Sequence, residues 1–444
     1  MRKLKNSGIE WLSKIPENWE VKRLKQILAE RNEKNNPIKS KNILSLSIER
    51  GVFPYSEKTG GGNKAKENIE DYKLAYKDDI VLNSMNVIVG AVGLSRYYGC
   101  VSPVYYTLYS RNDNYNINYY SNIFASSAFQ KSLWGLGNGI VVKESDNGKI
   151  NTIRMRIPMD KLNNVLMPIP PREEQEKIAK FLDKKVTEID NIIDKTKETI
   201  EDYKKYKQSK INQLVTEGIK KHKNKKINTG WIKEIPEEWK EYKTKDFFEF
   251  GKGLPITKAD LVEEGKEVIS YGQIHSKTNN GTTINKELYR FVSEKYLETN
   301  RQSIANYNNF IFADTSEDLS GCGNCVFINE DINIFAGYHT IILRPKIKED
   351  MKYLSYLFLT DCWRNQIRAR VSGIKLFSIT QRILKETFII LPMKEERDLI
   401  VKNLDKLCTE IDKLIYNKEK IIEELENYKD SLIYEYVTGK KEVI

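Results

Sequence analysis

The sequence has few of the features on which disulfide-stabilised, membrane-bound or secreted proteins depend. Among 444 residues there are five cysteines and three histidines. A cysteine count that is both low and odd does not favour a disulfide framework. No apolar run approaches the roughly 18 residues of a membrane span, and no apolar stretch of a secretory signal follows the opening Met1–Asn6. We therefore expect a soluble, cytoplasmic protein without a membrane segment.

Motifs for common catalytic chemistry are also missing. The chain has no G-x-x-x-x-G-K-[ST], no H-E-x-x-H, and no Asn-Pro-Pro or Asp-Pro-Pro followed by an aromatic residue, the usual amino-methyltransferase motif. Gly135–Gly139 is glycine-rich but does not lie between a clear strand and a helix, so a plain loop is favoured over a nucleotide loop. Cys322 and Cys325 form a single C-x-x-C, and even with His339 they fall short of four zinc ligands. We predict a non-enzyme that itself binds no metal or cofactor.

The composition is that of a folded, basic protein. Hydrophobic residues make up 40% and aromatic residues 10%, enough for real cores. The net charge is +11, of which residues 172–226 carry +5 and residues 392–444 carry −3, so that the remainder carries +9. This excess indicates a polyanionic partner for the other regions, although lysine as the ordinary surface residue of this chain explains it equally well.

The chain contains one pattern twice. Near the start of each copy, residues recur at an offset of 220, which pairs Trp11, Ile15, Pro16, Glu17 and Trp19 with Trp231, Ile235, Pro236, Glu237 and Trp239. Near the end, the offset is 222 and pairs Leu182, Asp183, Thr187, Glu188, Ile189 and Asp190 with Leu404, Asp405, Thr409, Glu410, Ile411 and Asp412. The interiors match more weakly. One scaffold is therefore used twice, with two different working surfaces.

Each copy begins with a globular part of mixed α and β structure, residues 1–168 and 219–391. Apolar and aromatic runs between Asn, Asp and Gly clusters predict strands, whose pairing directions stay open. The predicted strands are Ile80–Leu82, Val87–Val89, Val101–Leu108, Phe310–Phe312, Cys325–Ile328 and His339–Leu343. A helix is predicted in each copy at Tyr119–Ser126 and Tyr353–Thr360.

Each copy ends in a long helix, within residues 169–218 and 392–438, and a tail of residues 439–444 follows the second. Pro170 or Pro171 marks the start of the first helix. Apolar positions then follow steps of four and three over three heptads, as in a coiled coil. A helix of about 45 residues spans about 68 Å. The seam residues are Leu182, Val186, Ile189, Ile193, Ile200 and Tyr203 in the first helix, and Leu404, Cys408, Ile411, Ile415, Ile422 and Leu425 in the second.

Two equivalent helices in one chain are natural partners for each other. Equivalent repeats tend to pair about a pseudo-twofold axis, which makes the helices antiparallel. The predicted fold class is α+β: two pseudo-symmetric globular α/β domains separated by two long helices that pair as an antiparallel coiled coil. The alternative is that each helix packs only on its own domain, and the seam length argues against it.

The combined pattern resembles the specificity subunit of Type I restriction–modification systems, over essentially the whole chain. The resemblance rests on four segments: Gly8–Trp19, Pro170–Asp183 with its Pro-Pro-Arg-Glu-Glu-Gln start, Tyr271–His275 and Thr315–Asp318. The second copy departs from the pattern, because its helix begins Pro-Met-Lys-Glu-Glu-Arg at Pro392.

This resemblance implies a function and a set of partners. The two globular parts would be target recognition domains, each reading one half of a bipartite double-stranded DNA target, and the paired helices would set the gap between the halves. Two modification subunits that bind S-adenosylmethionine would dock on this chain. Two restriction subunits that use ATP and Mg²⁺ could join the complex. The chain itself would supply sequence recognition and no catalysis.

Candidate DNA-binding residues lie in the loops after two matched strands and at nearby cations. Asn suits adenine, and Asp or Glu can accept a hydrogen bond from cytosine N4, although turn capping explains the same residue types. Lys and Arg are candidates for phosphate contact, and solvation is the alternative for each. The candidates are Asn83, Ser84, Asn86, Asp314, Thr315, Ser316 and Glu317 in the loops, Gln273 and His275 in a Tyr-Gly-Gln-Ile-His stretch, and Lys64, Lys66, Arg96, Lys252, Lys258, Lys277 and Lys375 for phosphate.

A non-catalytic coiled-coil scaffold for protein partners is the main alternative. A specificity subunit that serves a different set of enzymes would also look similar. A fragment of a fused enzyme is a third interpretation, which the missing catalytic motifs and the complete second copy oppose. A test of sequence-specific DNA binding by the chain with its methyltransferase partner separates the specificity subunit from the protein scaffold.

Overall fold

The computed structural model describes residues 2–59, 64–138, 142–144, 150–153, 155–220, 222–227, 229–373 and 375–443. It divides into two compact units. Unit 1 comprises residues 1–197 and 419–444, and unit 2 comprises residues 198–418. Each unit thus takes one globular part and a portion of both long helices. This grouping differs from consecutive segments along the chain, so the predicted segment boundaries stay a prediction.

The globular part of unit 1 contains short strands and four short helices. Its strands are β1 (Leu4–Ile9), β2 (Leu12–Pro16), β3 (Glu20–Arg23), β4 (Leu28–Glu30), β5 (Leu44–Ser47), β6 (Gly51–Pro54), β7 (Lys73–Ala75), β8 (Ile80–Asn83), β9 (Val92–Leu94), β10 (Gly99–Val101), β11 (Tyr105–Ser110), β12 (Val142–Glu144), β13 (Ile150–Ile153) and β14 (Leu166–Ile169). Its helices are α1 (Leu24–Ile27), α2 (Ile117–Ala125), α3 (Ser127–Ser132) and α4 (Met159–Leu162), with 3₁₀ turns at Tyr55–Glu57, Val87–Val89 and Trp134–Leu136. The first long helix, α5 (Arg172–Glu217), follows.

Unit 2 repeats this order with additional strands. Its strands are β15 (Asn224–Lys226), β16 (Glu234–Pro236), β17 (Lys240–Lys243), β18 (Phe248–Lys252), β19 (Leu261–Val262), β20 (Lys266–Ile269), β21 (Arg290–Val292), β22 (Ile304–Ala305), β23 (Phe310–Ala313), β24 (Thr315–Ser316), β25 (Cys325–Phe327), β26 (Ile334–Ala336), β27 (Thr340–Pro345), β28 (Phe377–Ser378) and β29 (Phe388–Leu391). Its helices are α6 (Thr244–Phe247), α7 (Tyr271–Ile274), α8 (Tyr296–Thr299), α9 (Lys352–Leu357), α10 (Asp361–Arg368) and α11 (Gln381–Lys385), with 3₁₀ turns at Lys258–Asp260, Lys286–Leu288 and Arg301–Ser303. The second long helix is α12 (Lys394–Val437).

A four-stranded antiparallel sheet lies at the centre of each globular part. Its order is β4-β11-β8-β9 in unit 1 and β18-β27-β23-β25 in unit 2. Successive side chains of a strand point to opposite faces, so Ile80 and Leu82 enter the main core of unit 1 while Val81 enters a smaller one. Phe310 and Ile311 divide in the same way in unit 2. Both faces of each sheet are therefore covered, which explains why these strands are almost wholly apolar.

The two units differ beside this sheet. Unit 2 has a five-stranded sheet in the order β19-β21-β20-β26-β22, in which β20 and β26 are parallel and the other neighbours are antiparallel. Unit 1 has the two-stranded sheets β5-β6 and β10-β7 in the corresponding part of the chain. The interiors of the copies have thus diverged in architecture as well as in sequence.

Two predicted strands are wrong in unit 1. Val87–Val89 forms a 3₁₀ turn, because Gly90, at φ 90°, closes it with a bond from its N–H to the Val87 carbonyl. Val101–Leu108 is interrupted by Pro103, which has no N–H for a ladder, and the chain turns there before β11. Of the Gly135–Gly139 loop, Gly139 lies outside the described residues.

In each unit a portion of α5 lies against a portion of α12, and the two run antiparallel. In unit 1 the ring of Phe181 is 4.5 Å from that of Tyr436, and Asp190 pairs with Lys429 at 2.7 Å. In unit 2 Lys207 pairs with Asp412 at 2.7 Å, and Gly218, just after α5, lies against Glu396. Residue numbers rise along one helix as they fall along the other. The predicted fold class, with antiparallel long helices, is confirmed.

The predicted seam residues lie on the inner faces of the helices. None of them is exposed. Leu182, Ile189, Ile193, Ile200, Leu404, Cys408 and Ile411 are buried, and Val186, Tyr203, Ile415, Ile422 and Leu425 are half-buried. In the described part of the chain, no helix combines the length and the apolarity needed to cross a membrane.

Candidate DNA interface

One matched contact fixes the start of each long helix. The indole of Trp19 donates to Glu174 at 3.0 Å in unit 1, and the indole of Trp239 donates to Glu396 at 2.9 Å in unit 2. Both tryptophans are fully buried. These acidic residues lie in the first helical turn, where a carboxylate complements the helix dipole. The recurring tryptophans thus orient helix and globular part, as expected for scaffold residues.

A second matched contact fixes the end of each long helix. In unit 1 the Tyr119 hydroxyl donates to the carbonyl oxygen of Val437 at 2.7 Å, and in unit 2 the Tyr353 hydroxyl donates to that of Val215 at 2.9 Å. A helix leaves its last carbonyls without intrahelical partners, so each tyrosine satisfies one of them. The same scaffold geometry therefore supports the candidate loops in both units.

The candidate loop of unit 1 is largely tied into the scaffold. Ser84 is fully buried, and its hydroxyl donates to the carbonyl oxygen of Val104 at 2.8 Å. The Asn83 side chain accepts the N–H of Met85 at 3.0 Å, which caps the turn. Asn83 and Asn86 are half-buried. Ser84 is therefore engaged inside the unit, which the polarity of a loop residue does not reveal, and its predicted contact with DNA stays a prediction.

The start of the equivalent loop in unit 2 is also engaged internally. Asp314 accepts from the Thr315 hydroxyl at 2.7 Å and lies 3.1 Å from Nδ1 of His339. Thr315 and Ser316 are buried, and the Ser316 hydroxyl donates to the carbonyl oxygen of Asp318 at 2.7 Å. Thr315 and Ser316 thus form the base of the loop, and their predicted contact with DNA stays a prediction.

The tip of this loop, residues 317–320, is exposed and held in one conformation. Asp318 accepts from the Ser320 hydroxyl at 2.6 Å and from the Gly321 N–H at 2.7 Å. These two bonds lower the pKa of the Asp318 carboxyl below its ordinary value. Arg368 of α10 donates to the carbonyl oxygens of Leu319 and Ser320, both at 3.0 Å. The tip is therefore pre-organised.

His275 connects this loop to a neighbouring turn. Its Nε2 lies 2.8 Å from the carbonyl oxygen of Thr315, and its Nδ1 lies 3.0 Å from the Asn324 amide nitrogen. Because a carbonyl oxygen only accepts, Nε2 carries the hydrogen and Nδ1 accepts from Asn324. Both ring nitrogens are thus occupied. Gln273 is also engaged, since its side chain accepts the Ser270 N–H at 3.1 Å at the start of α7.

An open cleft of about 900 Å³ lies beside the loop tip in unit 2. It brings together four of the predicted residues, His275, Lys277, Ser316 and Glu317. Gln273, Lys252, Lys258, Asp314, Thr315 and Lys375 do not line it. Three further groups that sequence reasoning missed do so: Asn324, Arg364 and Arg368.

Unit 1 has an open cleft of about 790 Å³ with different chemistry. Of the predicted DNA-binding residues only Arg96 lines it, and the other charged side chains of the lining are Arg50, Lys180, Glu176, Asp183 and Asp190. Asn83, Ser84 and Asn86 lie off its lining. The predicted cations in both units are solvent-exposed, as phosphate contacts require: Lys64, Lys66, Arg96, Lys252, Lys258, Lys277 and Lys375.

The C-x-x-C of unit 2 is a buried turn. The Asn324 N–H donates to the Gly321 carbonyl at 3.0 Å, and Gly323 has φ 97°. Burial raises the pKa of the Cys325 thiol to about 12, which disfavours the thiolate that binds metals. No group of three metal-ligating side chains occurs in the described residues.

The comparisons with known proteins agree with the repeat and the fold. The family model for the Type I restriction modification DNA specificity domain matches residues 16–202 and 236–427. The chain belongs to this family. The MjaVIII type I restriction enzyme specificity subunit of Methanocaldococcus jannaschii is 27% identical over 286 residues, 62% of each chain. A relative named after the MjaX system of the same organism is 26% identical over 451 residues, 97% of this chain and 95% of the relative.

A solved structure has the same fold as the present chain. It comes from work on complex assembly and conformational transition of the type I R-M system. The match has a TM-score of 0.68 at 13% identity and covers 96% of this chain and 99% of the other. The sequence-based resemblance is therefore confirmed at the level of family and fold. The match to the MjaVIII subunit spans less than two thirds of that relative's length.

Proposed function

We propose that this chain is the sequence-specific DNA-recognition subunit of a Type I restriction–modification complex. Each unit would read one half of a bipartite target in double-stranded DNA through its globular part. The observation that supports this division is the contrast between scaffold and loops. The tryptophan and tyrosine contacts recur at matched positions, whereas the loops after β8 and β23 differ in length, charge and hydrogen bonding.

The long helices would set the gap between the half-sites. α5 has 46 residues and α12 has 44, or about 66–69 Å at 1.5 Å per residue. Major-groove sites on one side of a duplex recur about every 34 Å. We expect a change in helix length to alter the gap and to leave both half-sites unchanged.

Exposed apolar side chains support docking of two copies of one partner. Ile192 on α5 and Leu414 on α12 are 222 residues apart and are 50% and 45% exposed. Tyr206 and Tyr428 are also 222 apart and are 49% and 56% exposed. Single exposed apolar groups are common on protein surfaces, so it is their recurrence at the same positions in both copies that supports an interface. We assign this repeated pattern to two modification subunits, one for each copy.

The catalytic work would belong to these partners. S-adenosylmethionine would bind to the modification subunits, and ATP and Mg²⁺ would bind to two restriction subunits where the host has them. This chain would choose the DNA site. Its exposed cations would contribute the sequence-independent part of the affinity, which weakens with salt.

Methylation-sensitive single-molecule sequencing tests the proposal. DNA would be taken from cells that express this chain with its neighbouring methyltransferase and from cells that lack this chain. We expect a modified motif of two short half-sites with a fixed gap, present only with the chain. Replacing residues 229–391 with those of a related subunit should change one half-site alone.

The same experiment separates the alternative. If an active methyltransferase is present and no motif depends on this chain, the recognition role is wrong for that pairing. Retention of the methyltransferase on the chain without any motif would favour a protein-interaction scaffold.

A further inference from the structure

We propose that the loop tip of unit 2, residues 317–320, enters the major groove of the second half-site, where Glu317 accepts a hydrogen bond from the exocyclic amino group of a cytosine, while Arg364 in the adjacent cleft contacts a backbone phosphate. This inference rests on the proposed function. It assigns the recognition chemistry of unit 2 to two side chains with different tasks.

Glu317 is the one acidic side chain of this loop that is left available. Asp314 is engaged by Thr315, and Asp318 is engaged by Ser320 and Gly321. Among the described residues, Glu317 makes no hydrogen bond or ion pair, and its side chain is exposed. The tip therefore presents a single uncommitted carboxylate on a loop that its own bonds and Arg368 hold fixed.

A carboxylate facing DNA is repelled by the phosphates, so it needs a hydrogen-bond donor on the bases. In the major groove cytosine presents its N4 amino group, and Asp or Glu is the side chain that accepts from it. The tip is exposed and is held by its own hydrogen bonds, so it can present the Glu317 carboxylate to the groove without first being ordered.

Arg364 supplies an independent observation in the same cleft. It is half-buried, and desolvation by the surrounding protein lowers the pKa of its guanidinium. Among the described residues its single hydrogen bond runs from Nε to the carbonyl oxygen of Phe358, at 2.8 Å. Its two terminal amino groups are therefore available for a bidentate contact with phosphate.

The acidic neighbours of Arg364 are already compensated. Asp361 pairs with Arg368 at 2.7 Å, and Asp318 is satisfied by its own turn. Lys277 adds an exposed cation to the cleft lining. Glu317 and Arg364 line the same cleft, so the proposed base contact and phosphate contact would lie side by side.

Unit 1 provides a natural reference for Arg364. The matched side chain there is Gln130, whose Nε2 donates to the carbonyl oxygen of Phe124 at 2.9 Å. Gln130 and Arg364 each lie four residues after the N-cap of their helix, Ser126 and Thr360. Glutamine therefore makes the scaffold bond without the charge, so Arg364→Gln should fold and remove only the additional function.

The test uses the full chain with its methyltransferase and compares Glu317→Gln, Arg364→Gln and the control Glu263→Gln. Glu263 is exposed in the turn between β19 and β20, outside the cleft. In Glu317→Gln, the ratio of affinities for the preferred base over the other bases should fall by about 5- to 150-fold at one position of one half-site. Arg364→Gln should keep the motif, weaken binding to all sites, and lower the slope of log affinity against log salt by about 1. The control should change neither.

Each result that differs from these expectations contradicts one specific contact. An unchanged motif with Glu317→Gln, or equal loss at both half-sites, overturns the base contact. An altered motif or an unchanged salt slope with Arg364→Gln overturns the phosphate contact. If the wild-type chain confers no motif at all, the proposed function itself is wrong, which is distinguishable because it does not depend on either variant.

Discussion

The two units share their joints and differ in their surfaces. Where the globular part meets the long helices, both use an indole–carboxylate bond and a tyrosine–carbonyl bond at matched positions, with lengths within 0.2 Å of each other. Away from these joints, unit 2 carries a five-stranded sheet that unit 1 lacks in the described residues, and the clefts of the two units are lined by different side chains. A side chain that fixes how the long helix docks is constrained at both ends of its contact, whereas the loops keep only the internal hydrogen bonds that hold their shape, so their remaining side chains can differ between the copies.

Removing the shared joint should have the largest effect, and the same effect in both copies. Trp19→Ala and Trp239→Ala each delete a fully buried ring and an indole bond to a first-turn glutamate. We expect a loss of about 3–5 kcal/mol in the free energy of unfolding of the affected unit. Urea unfolding, combined with hydrogen exchange followed separately in each unit, measures this loss.

The matched control for this pair is Trp134→Ala, since Trp134 is 42% exposed and surface changes stay within about 0.5 kcal/mol. If the losses of unfolding free energy caused by Trp19→Ala and Trp239→Ala differ by more than roughly 1 kcal/mol, the two contacts have the same geometry but do not contribute equally to stability.

Each of the repeated exposed side chains on the helices should anchor one of the two modification subunits. Ile192→Asp or Leu414→Asp places a charge in one proposed docking patch, where loss of an anchor costs about 2 kcal/mol, roughly 30-fold in affinity. Native mass spectrometry should then show one modification subunit for each chain with either single variant and none with the double variant. Leu399→Asp is the control, because Leu399 is exposed but its counterpart in the first copy is Lys177. Loss of both partners from one single variant would contradict independent patches.

Removing the second joint should cost less. Tyr119→Phe and Tyr353→Phe keep the buried rings but leave a helix-end carbonyl without its donor. We expect each to lower the free energy of unfolding by about 1–2 kcal/mol. Tyr120→Phe is a strict control, because the Tyr120 hydroxyl is buried and has no partner among the described residues. If Tyr119→Phe and Tyr120→Phe lower the free energy of unfolding equally, the loss comes from the surroundings of the ring and not from the hydrogen bond to the helix end.

Local and repeated signals in the sequence predicted the fold well. The four-and-three spacing predicted both long helices, and the prolines at 170 and 171 marked the start that the structure has at Arg172. Val87–Val89 failed because three apolar residues suit a strand or a turn equally, and the decisive bond closes at Gly90. The parallel pairing of β20 with β26 joins Val268 to Phe335, and no local pattern records such a distant contact.

The candidate site was less predictable than the fold. Loop polarity selected both Glu317 and Ser84, and only burial separates the exposed side chain, which could contact a ligand, from the one engaged inside the unit. His275 was found as a polar residue of a suggestive stretch, yet its two nitrogens serve Thr315 and Asn324. Arg364 was missed because it lies where the two copies match weakly. Aligning the helix caps Ser126 and Thr360 would have placed it opposite Gln130 and revealed the change of charge.

The smallest expected effect concerns the side chain that holds the first-turn glutamate in each copy. Arg2 donates to both oxygens of the Glu174 carboxylate, at 2.5 and 2.7 Å, whereas His222 contacts one oxygen of Glu396 at 2.7 Å. A guanidinium can pair with both oxygens of a carboxylate, and an imidazole cannot. His222→Arg should therefore stabilise unit 2 by about 0.5 kcal/mol. Arg2→His should destabilise unit 1 by a similar amount, because one of its two bonds to Glu174 is lost. Thermal unfolding of the two variants measures both effects, and a more stable Arg2→His variant would refute the assigned role of the two-bond contact.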